Sequence, residues 1–362
     1  MAQVLHLTGP VLVDAEDVRP QAWVIGGRMT YAAPVGDHDV TTVAGWVLPG
    51  LVDAHSHIGL GAHGAVDDAT AEEQALADRD AGALLLRDAG SPADTRWVQE
   101  REDLPRLVRA GRHIARTRRY LRNYAWEVEP EELVARVRLE ARAGDGWVKL
   151  VGDWIDRDTG DLEPCWPADV LSQAVAAAHE EGARVTAHCF GEQSLRDLAA
   201  AGTDCVEHAT GLLDDTVASF AAQGIAIVPT LVNIDTFPRI VAPAAEKFPD
   251  YHRHMLDLHE RRYRTIAAAR EAGIPVYVGT DAGGSLPHGL VATEVAHLGH
   301  AGFTTGEALD AACWAARAWL GWPGLEEGDE ADLVVYPEDP RDDLAVLAVP
   351  SLVVLRGVAR ST

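Results

Sequence analysis

The middle of the chain alternates between short apolar runs and longer stretches in which apolar positions recur with helical spacing. Runs that are apolar at consecutive positions are typical of strands buried on both faces. These runs occupy Val47–Val52, Ala83–Leu86, Leu107–Ile114, Trp147–Val151, Arg184–Ala187, Asp204–Val206, Ile225–Val228 and Val276–Val278. Helical patterns occupy Thr70–Ala81, Glu131–Ala143, Ala168–Glu181, Gln193–Ala201, Leu213–Ala222, His254–Ala272 and Gly306–Leu320. The alternation predicts an α/β protein with a (β/α)8 TIM barrel, and a doubly wound open sheet is the alternative.

Both ends of the chain show a different pattern. Up to about Gly45, short β-type runs are interrupted by Gly, Pro and Asp and have no helical period. Short β-type runs of the same kind occur again between Asp332 and Val358. Two β-rich ends around an alternating middle predict one small sheet to which both ends of the chain contribute.

Side chains with metal-binding chemistry stand where several predicted strands end. His55 and His57 end the first run, and their spacing directs both imidazoles to one face of an extended chain. His188, His208 and Asp281 end the fifth, sixth and eighth runs. The carboxyl ends of all strands meet at one mouth of a barrel, so we expect these side chains to converge. Imidazole and carboxylate groups suit Zn²⁺ and similar divalent ions.

Lysine is rare in this chain, which makes an interior lysine informative. Of 31 basic residues only Lys149 and Lys247 are lysines, and Lys149 lies inside the fourth apolar run. A lysine in an apolar strand is costly unless it is neutralised or paired. An ion-paired lysine is one interpretation, but we favour a functional amine with a lowered pKa. Such an amine can form a Schiff base, or take up CO2 as a carbamate that bridges two metal ions.

The order of these motifs resembles the amidohydrolase superfamily, in particular its imidazolonepropionase-like branch, which contains metal-dependent Xaa-Pro and Xaa-Arg dipeptidases. The matching segments are PGLVDAHSHIGL (49–60), WVKLVGDW (147–154), TAHCFG (186–191), VEHATGL (206–212), VPTL (228–231), GTDAGG (279–284) and EEGDEADLVVYPEDP (326–340). The resemblance spans nearly the whole chain. It implies a distorted (β/α)8 barrel of residues 48–325 and a small β-sandwich domain formed by residues 1–47 and 326–362.

The resemblance also implies a centre for two divalent metal ions, with Zn²⁺ as the favoured ion. The implied ligands are His55, His57, Lys149, His188, His208 and Asp281. The first two histidines and the aspartate would bind one ion, the last two histidines would bind the other, and a CO2-derived carbamate on Lys149 would bridge them. A metal-bridging hydroxide would attack the amide carbonyl, with Asp281 as general base and then general acid.

The expected activity is therefore that of a binuclear metal-dependent amidohydrolase that cleaves the C–N bond of a dipeptide or an N-acyl amino acid. A mononuclear deaminase or cyclic-amide hydrolase of the same superfamily is the alternative, and it would not need the lysine. A Schiff-base aldolase that uses Lys149 is a further alternative. A catalytically inactive barrel would be expected to lack a ligand, whereas all six are present.

An arginine-rich segment replaces the TGGH-like segment that this branch often has after its third strand. Seven arginines lie between Arg106 and Arg122 in an otherwise acidic chain. A guanidinium can bind a carboxylate in a bidentate manner, so Arg116, Arg118 and Arg119 are candidates to hold a substrate carboxylate. A solvated or oligomer-facing segment is the alternative. Tyr120 is a candidate to bind the oxyanion of the substrate.

Features with weaker signals surround this segment. Tyr124 is a second candidate for the oxyanion, and Trp154 and Trp166 are candidates for the wall of the pocket. His63, His113 and His288 could reach the mouth of the barrel, but we interpret each as a loop histidine. The proline-containing stretch Asn233–His252 after the seventh run predicts a lid.

Charge and cysteine usage exclude several classes of partner. The formal net charge of −25 argues against nucleic acid and an anionic membrane surface. No secretory signal is visible, no run approaches the ~20 apolar residues that span a bilayer, and the four cysteines form no CxxC pair. We therefore expect a cytoplasmic protein that acts on a small-molecule amide substrate, either as a monomer or as a homo-oligomer.

Overall fold

The structure is a computed structural model that describes residues 4–360. The outermost residues of the predicted small domain, 1–3 and 361–362, lie outside the described residues. The strands are, in chain order, β1 (Val4–Leu12), β2 (Val18–Ile25), β3 (Arg28–Thr30), β4 (Val40–Ala44), β5 (Trp46–Pro49), β6 (Leu51–Gly61), β7 (Gly64–Ala65), β8 (Ala83–Asp88), β9 (Arg106–Arg109), β10 (Ile114–Arg116), β11 (Trp126–Val128), β12 (Trp147–Val151), β13 (Asp153–Ile155), β14 (Leu162–Pro164), β15 (Arg184–Cys189), β16 (Cys205–His208), β17 (Ala226–Val228), β18 (Ala282–Gly284), β19 (Leu333–Tyr336), β20 (Leu352–Leu355) and β21 (Val358–Arg360).

Helices separate most of the strands in the middle of the chain. They are α1 (Asp68–Asp80), α2 (Arg96–Glu100), α3 (Pro130–Ala143), α4 (Ala168–Glu180), α5 (Glu192–Ala201), α6 (Asp214–Gln223), α7 (Leu231–Ile234), α8 (Phe237–Val241), α9 (Pro249–Glu271), α10 (Val291–His300), α11 (Thr305–Ala312) and α12 (Trp314–Leu320). Short 3-10 helices lie at Ala242–Ala244 and Leu344–Ala348. Within residues 4–360, none of these helices combines the length and the apolar character needed to cross a membrane.

Two parallel sheets join to form the distorted (β/α)8 barrel that the sequence predicts. One contains β18, β6, β8 and β9, and the other runs from β11 through β10, β12, β15 and β16 to β17. Residues 275–278 occupy the eighth strand position between them. There the N–H of Tyr277 donates to Ile227, and the N–H of Ala54 donates to Val278. The third strand is divided into β9 and β10, and the single pair Ile114–Leu150 joins β10 to β12.

Both ends of the chain share one eight-stranded sheet, as the sequence predicts. Its order is β21-β20-β19-β5-β1-β2-β3, with β4 paired to β1. The edge strand β3 and the turn before it also bond to the segment that precedes β19, because the N–H of Met29 donates to Asp329 and the N–H of Ala331 donates to Gly27. The sheet has its own small apolar core, which includes Leu7 and Leu333.

The predicted run Val47–Val52 is not one strand. It breaks at Gly50, where β5 pairs with β19 in the terminal sheet and β6 begins the barrel. A side chain at Gly50 would meet Leu84, since an added Cβ would lie 2.5 Å from the Leu84 Cβ. Close packing of the barrel against this junction therefore requires glycine. The helix α10 was not predicted, and the pattern Gly306–Leu320 is divided at Cys313 into α11 and α12.

Candidate metal centre and cavity

Six polar side chains form what we call the floor, at the carboxyl ends of the barrel strands. The floor consists of His55, His57, Lys149, His188, His208 and Asp281. All except Asp281, whose side chain is 19% exposed, are almost completely buried. The structure thus brings together all six ligands that the sequence predicts.

One half of the floor is a tight group of two imidazoles and a carboxylate. The Nε2 atoms of His55 and His57 lie 3.1 Å apart. The Oδ1 atom of Asp281 lies 3.0 Å from the first and 2.9 Å from the second. Donor atoms at these separations can contact a single metal ion.

Hydrogen bonding to His57 tests whether this group fits a cation. Its Nδ1 atom lies 2.7 Å from the carbonyl oxygen of Gly90, which only accepts, so Nδ1 carries the proton. Burial lowers the pKa of His57, which keeps the ring neutral with a lone pair on Nε2. That lone pair faces a carboxylate oxygen of Asp281. Two acceptors at this distance repel unless positive charge lies beside them, so the donor set fits a divalent ion.

The other half of the floor is a second pair of imidazoles. The Nδ1 atom of His188 lies 3.0 Å from Nε2 of His208. The opposite nitrogen of His208 lies 2.7 Å from the Thr230 hydroxyl, which orients the ring. Burial lowers the pKa of His208 to about 3, so this ring is also neutral and able to act as a ligand. The ring centroids of His55 and His208 are 5.4 Å apart, which joins the two halves of the floor.

Lys149 lies behind the imidazoles and is 1% exposed. Burial lowers its pKa, although the charge of Glu207 opposes this shift. The two groups do not form a close pair, because Nζ of Lys149 is 4.0 Å from Oε1 of Glu207. The direction of this shift favours the neutral, nucleophilic amine that the sequence analysis expects.

A buried ion pair supports the floor from below. The guanidinium of Arg87 donates to Glu207 over 2.7 Å and lies over the ring of Trp147. The other carboxylate oxygen of Glu207 lies 2.8 Å from Nδ1 of His55. Burial alone would raise the pKa of Glu207, but the Arg87 guanidinium holds it well below its usual range. Glu207 therefore stays charged and orients His55 from the side opposite to the metal group.

Backbone strain is concentrated around the floor. His208, Thr230 and Asp281 adopt φ values of 67°, 48° and 59°, in the left-handed region that favours glycine. A non-glycine residue in this region costs about 1–3 kcal/mol and persists only where the surroundings enforce it. These residues end or follow barrel strands, and the strained turns direct their side chains into the floor.

A cavity of about 320 Å³ lies directly above the floor. We call its remaining lining the wall, which comes from loop 112–124, from segment 231–255, and from parts of the β6, β13, β15 and β18 ends. The aromatic side chains of the wall are Tyr120, Tyr124, Trp154, Phe190, Phe237 and Tyr251. Its aliphatic side chains are Leu60, Leu121, Ile240, Met255 and Leu286. The predicted lid Asn233–His252 thus contributes Asn233, Phe237, Ile240 and Tyr251 to this lining.

Asn233 connects the wall to the floor. Its side-chain amide donates to Oδ2 of Asp281 over 2.6 Å. The helix α7 that carries it is held by Glu294, whose carboxylate accepts from the N–H groups of Leu231 and Val232 over 2.7 and 2.8 Å. A carboxylate at a helix N-terminus satisfies N–H groups that have no partner within the helix. Glu294 therefore positions Asn233 over the Asp281 carboxylate.

The predicted substrate-binding residues divide into one that reaches the cavity and three that do not. Tyr120 lies on the wall, whereas Arg116, Arg118 and Arg119 do not line the cavity. The guanidinium of Arg119 pairs with Asp156 and donates to the carbonyl oxygens of Trp154 and Glu163. Arg118 is exposed. The positions of these arginines do not support the predicted clamp on a substrate carboxylate.

Sequence reasoning missed several residues of this region. His113 is not a surface loop histidine, because it is completely buried, lines the cavity and stacks on His57. Arg87 and Glu207 were not singled out, although a charged residue inside an apolar strand run was a usable signal. Asn233 and Thr230 carried no local signal, since their roles depend on contacts with distant strands.

Comparison with known proteins agrees with this geometry. The profile of the amidohydrolase family matches residues 105–359. An uncharacterised protein of Mycobacterium tuberculosis is 55% identical over 354 residues, which cover 98% of this chain and 95% of that protein. The ochratoxinase of Aspergillus niger is 26% identical over 231 residues, or 62% of this chain and 47% of the enzyme.

Solved structures share the complete fold at low sequence identity. A Xaa-Pro dipeptidase with bound methionine in its active site superposes with a TM-score of 0.83 and 21% identity, covering all of both chains. The A. niger ochratoxinase superposes with a TM-score of 0.78 and 19% identity, covering 99% of this chain and 95% of that chain. The barrel and the terminal sheet are therefore a shared architecture.

Proposed function

Because this chain belongs to the amidohydrolase family, we propose that it is a binuclear metal-dependent hydrolase that cleaves an amide C–N bond. The observation that carries the proposal is the convergence of four imidazoles, one carboxylate and one buried lysine beneath a single cavity. The structural likeness to a Xaa-Pro dipeptidase supports an amide substrate. A scaffold role would not require these costly buried polar groups.

The floor supplies ligands for two divalent ions, for which Zn²⁺ suits the nitrogen and oxygen donors. The group of His55, His57 and Asp281 would hold one ion, and His188 with His208 would hold the other. The amine of Lys149 would add to CO2 and release a proton, and the resulting carbamate would supply a further negatively charged ligand to these ions. Bound ions of this kind polarise a carbonyl and lower the pKa of water.

The protein's own residues would orient the substrate and move one proton. Water attacks the carbonyl carbon, its proton passes to the Asp281 carboxylate, and the same proton then reaches the leaving nitrogen as the C–N bond breaks. The amide of Asn233 holds Oδ2 of Asp281 and so limits rotation of the carboxylate. Tyr120 and Tyr124 line the cavity, and their hydroxyl groups would be the donors to the oxygen that gains charge.

The lysine tests this proposal, and the chain provides a matched control. Lys149→Ala should reduce kcat/KM for amide hydrolysis by at least about 10³-fold and lower the metal content from about two ions per chain. Lys247→Ala, which removes the other and exposed lysine, should leave both quantities unchanged. Metal analysis and a screen of dipeptides, N-acyl amino acids and the neutral amides of both provide the measurements.

Three outcomes separate the proposal from its alternatives. Partial recovery of Lys149→Ala by a short carboxylic acid would support the bridging role. About one ion per chain together with full activity of Lys149→Ala would favour the mononuclear enzyme instead. Borohydride trapping of a carbonyl substrate on wild-type protein, but not on the variant, would favour the Schiff-base chemistry.

A further inference from the structure

The side chains that form the wall of the cavity indicate which class of amide can bind above the floor. Resting on the proposed function, we infer that the substrate presents an uncharged aromatic or aliphatic group to the wall and carries no free carboxylate there. This argues against the free dipeptides and N-acyl amino acids that the family resemblance suggests, and against a carboxylate clamp by the arginine-rich segment. It points instead to neutral amides, such as those with an aromatic acyl or amine portion.

The first support is the chemistry of the lining. Eleven side chains of the wall are aromatic or aliphatic, and together they enclose most of the space above the floor. Pairs such as Tyr120 with Trp154, and Phe190 with Phe237, meet edge-to-face with ring centroids 4.9 and 4.8 Å apart. Such a surface stabilises an apolar group by removing it from water and by favourable ring contacts.

The second support is the absence of positive charge from the lining. Among residues 4–360, neither a lysine nor an arginine lines this cavity, and the one carboxylate there is Asp281. A substrate carboxylate against the wall would lose its hydration without gaining a charged partner, which is costly. Arg119 cannot take this role without leaving Asp156 and two carbonyl oxygens. The net charge of −25 further disfavours anionic substrates.

The third support is that the polar groups offered by the wall are uncharged. The lining includes Asn233, Tyr120 and Tyr124, whose polar groups are an amide and two hydroxyl groups. Both ring nitrogens of His113 are buried without a hydrogen-bond partner in the described part of the chain. These groups suit a carbonyl, ether or amide of the substrate, because a neutral pair of this kind needs no compensating charge.

The rim of the cavity has the same character. Leu121 is 46% exposed and Ile240 is 48% exposed, and both also line the cavity. Large apolar side chains exposed together at a cavity mouth are typical of binding sites for apolar ligands. A substrate group can therefore leave water gradually as it passes these two residues.

Two ligands that differ only in charge test the inference on the purified full-length protein. N-acetyl-L-phenylalanine amide and N-acetyl-L-phenylalanine share their aromatic group, but the second has a carboxylate in place of the amide. Calorimetric titration should show at least about tenfold tighter binding of the neutral ligand. Equal or tighter binding of the carboxylate would overturn the inference.

A variant at the rim provides a second measurement that does not depend on catalysis. Leu121→Arg places a cation at the exposed mouth and should improve binding of the carboxylate several-fold. Leu121→Gln, which is polar but uncharged, should not do so. If the arginine leaves the ratio of the two affinities unchanged, charge does not determine selectivity and the inference fails.

The same ligands distinguish this inference from the proposed function. Hydrolysis of carboxylate-bearing dipeptides in preference to neutral amides would overturn the inference while leaving the amidohydrolase activity intact. Preferential binding of the neutral ligand by a metal-loaded protein that hydrolyses no amide would support the inference and overturn the proposed function.

Discussion

The floor and the wall of the cavity lie within a few ångströms of each other but depend on different parts of the fold. Five of the six floor side chains lie on barrel strands, and the pairing between β12 and β15, which carry Lys149 and His188, is continuous. The wall stands largely on loop 112–124 and on the short helices α7 and α8. The groups proposed to carry the reaction thus lie at the ends of the barrel strands, and the groups proposed to select the substrate lie largely on connecting segments, whose sequence can change with less effect on the core.

The first way to test this contrast is to remove the ion pair beneath the floor. Arg87→Met should lower the free energy of unfolding by about 3–5 kcal/mol, because it leaves the buried Glu207 carboxylate without its guanidinium partner. Arg138→Met is the matched control, since it removes an exposed partner of Glu180 and should cost less than about 1 kcal/mol. Urea unfolding measures both, and equal values would mean that the pair does not stabilise the floor.

The second test concerns an arginine that supports the wall. Arg119→Met should cost about 1–2 kcal/mol, because Asp156 and two carbonyl oxygens lose their donor. Arg118→Met, at the exposed neighbouring position, should change stability by less than about 0.5 kcal/mol. The KM ratio between a carboxylate substrate and its amide should be unaltered in Arg118→Met. A selective rise in KM for the carboxylate would restore the predicted clamp.

The third and smallest effect concerns pH and helix α9, which carries part of the wall. His254 bonds to Glu192 and Asp161 over 2.9 and 3.0 Å, and Arg261 also pairs with Glu192. The hydrogen bond to Glu192 raises the pKa of His254 to about 9. Because this value exceeds that of the unfolded chain, the stabilisation is complete below about pH 6.5 and disappears as the pH rises through 9.

The variant His254→Gln should therefore be less stable than wild type by about 1 kcal/mol near pH 6, with the difference shrinking towards about pH 10. His252→Gln, on the same helix, should show no such trend. Urea unfolding at the two pH values provides the measurement. A difference that grows with pH would contradict the sign of the expected linkage.

The floor could be predicted from sequence because strand ends are visible in the hydrophobic pattern. Once eight runs are recognised as barrel strands, a polar side chain at the end of a run, such as that of His188 or Asp281, is expected to lie at the carboxyl-terminal mouth of the barrel. The wall could not be predicted in this way. Loop 112–124 changes direction at Arg118 and Asn123, whose φ values of 63° and 67° lie in the left-handed region. The order of polar and apolar residues along this loop therefore does not indicate which side chains face the cavity.

The helix α10 shows a second reason for incomplete prediction. Its buried positions Val291, Val295 and Leu298 follow helical spacing, but Glu294 lies among them and is completely buried. A carboxylate on the apolar face weakens the sequence signal for an amphipathic helix. The contact that satisfies it, with the N-terminus of α7, is distant in sequence and becomes visible only in the fold.

The break at Gly50 has a consequence for how the protein is made. β5 is followed after one residue by the strand that carries His55 and His57, yet β5 pairs along its length with β19, near the other end of the chain. During translation the earlier part of the chain emerges first, so β5 cannot complete its pairing until residues 333–336 have been made. The strand that immediately precedes the one carrying His55 and His57 therefore takes its final place only after the whole barrel segment has been synthesised.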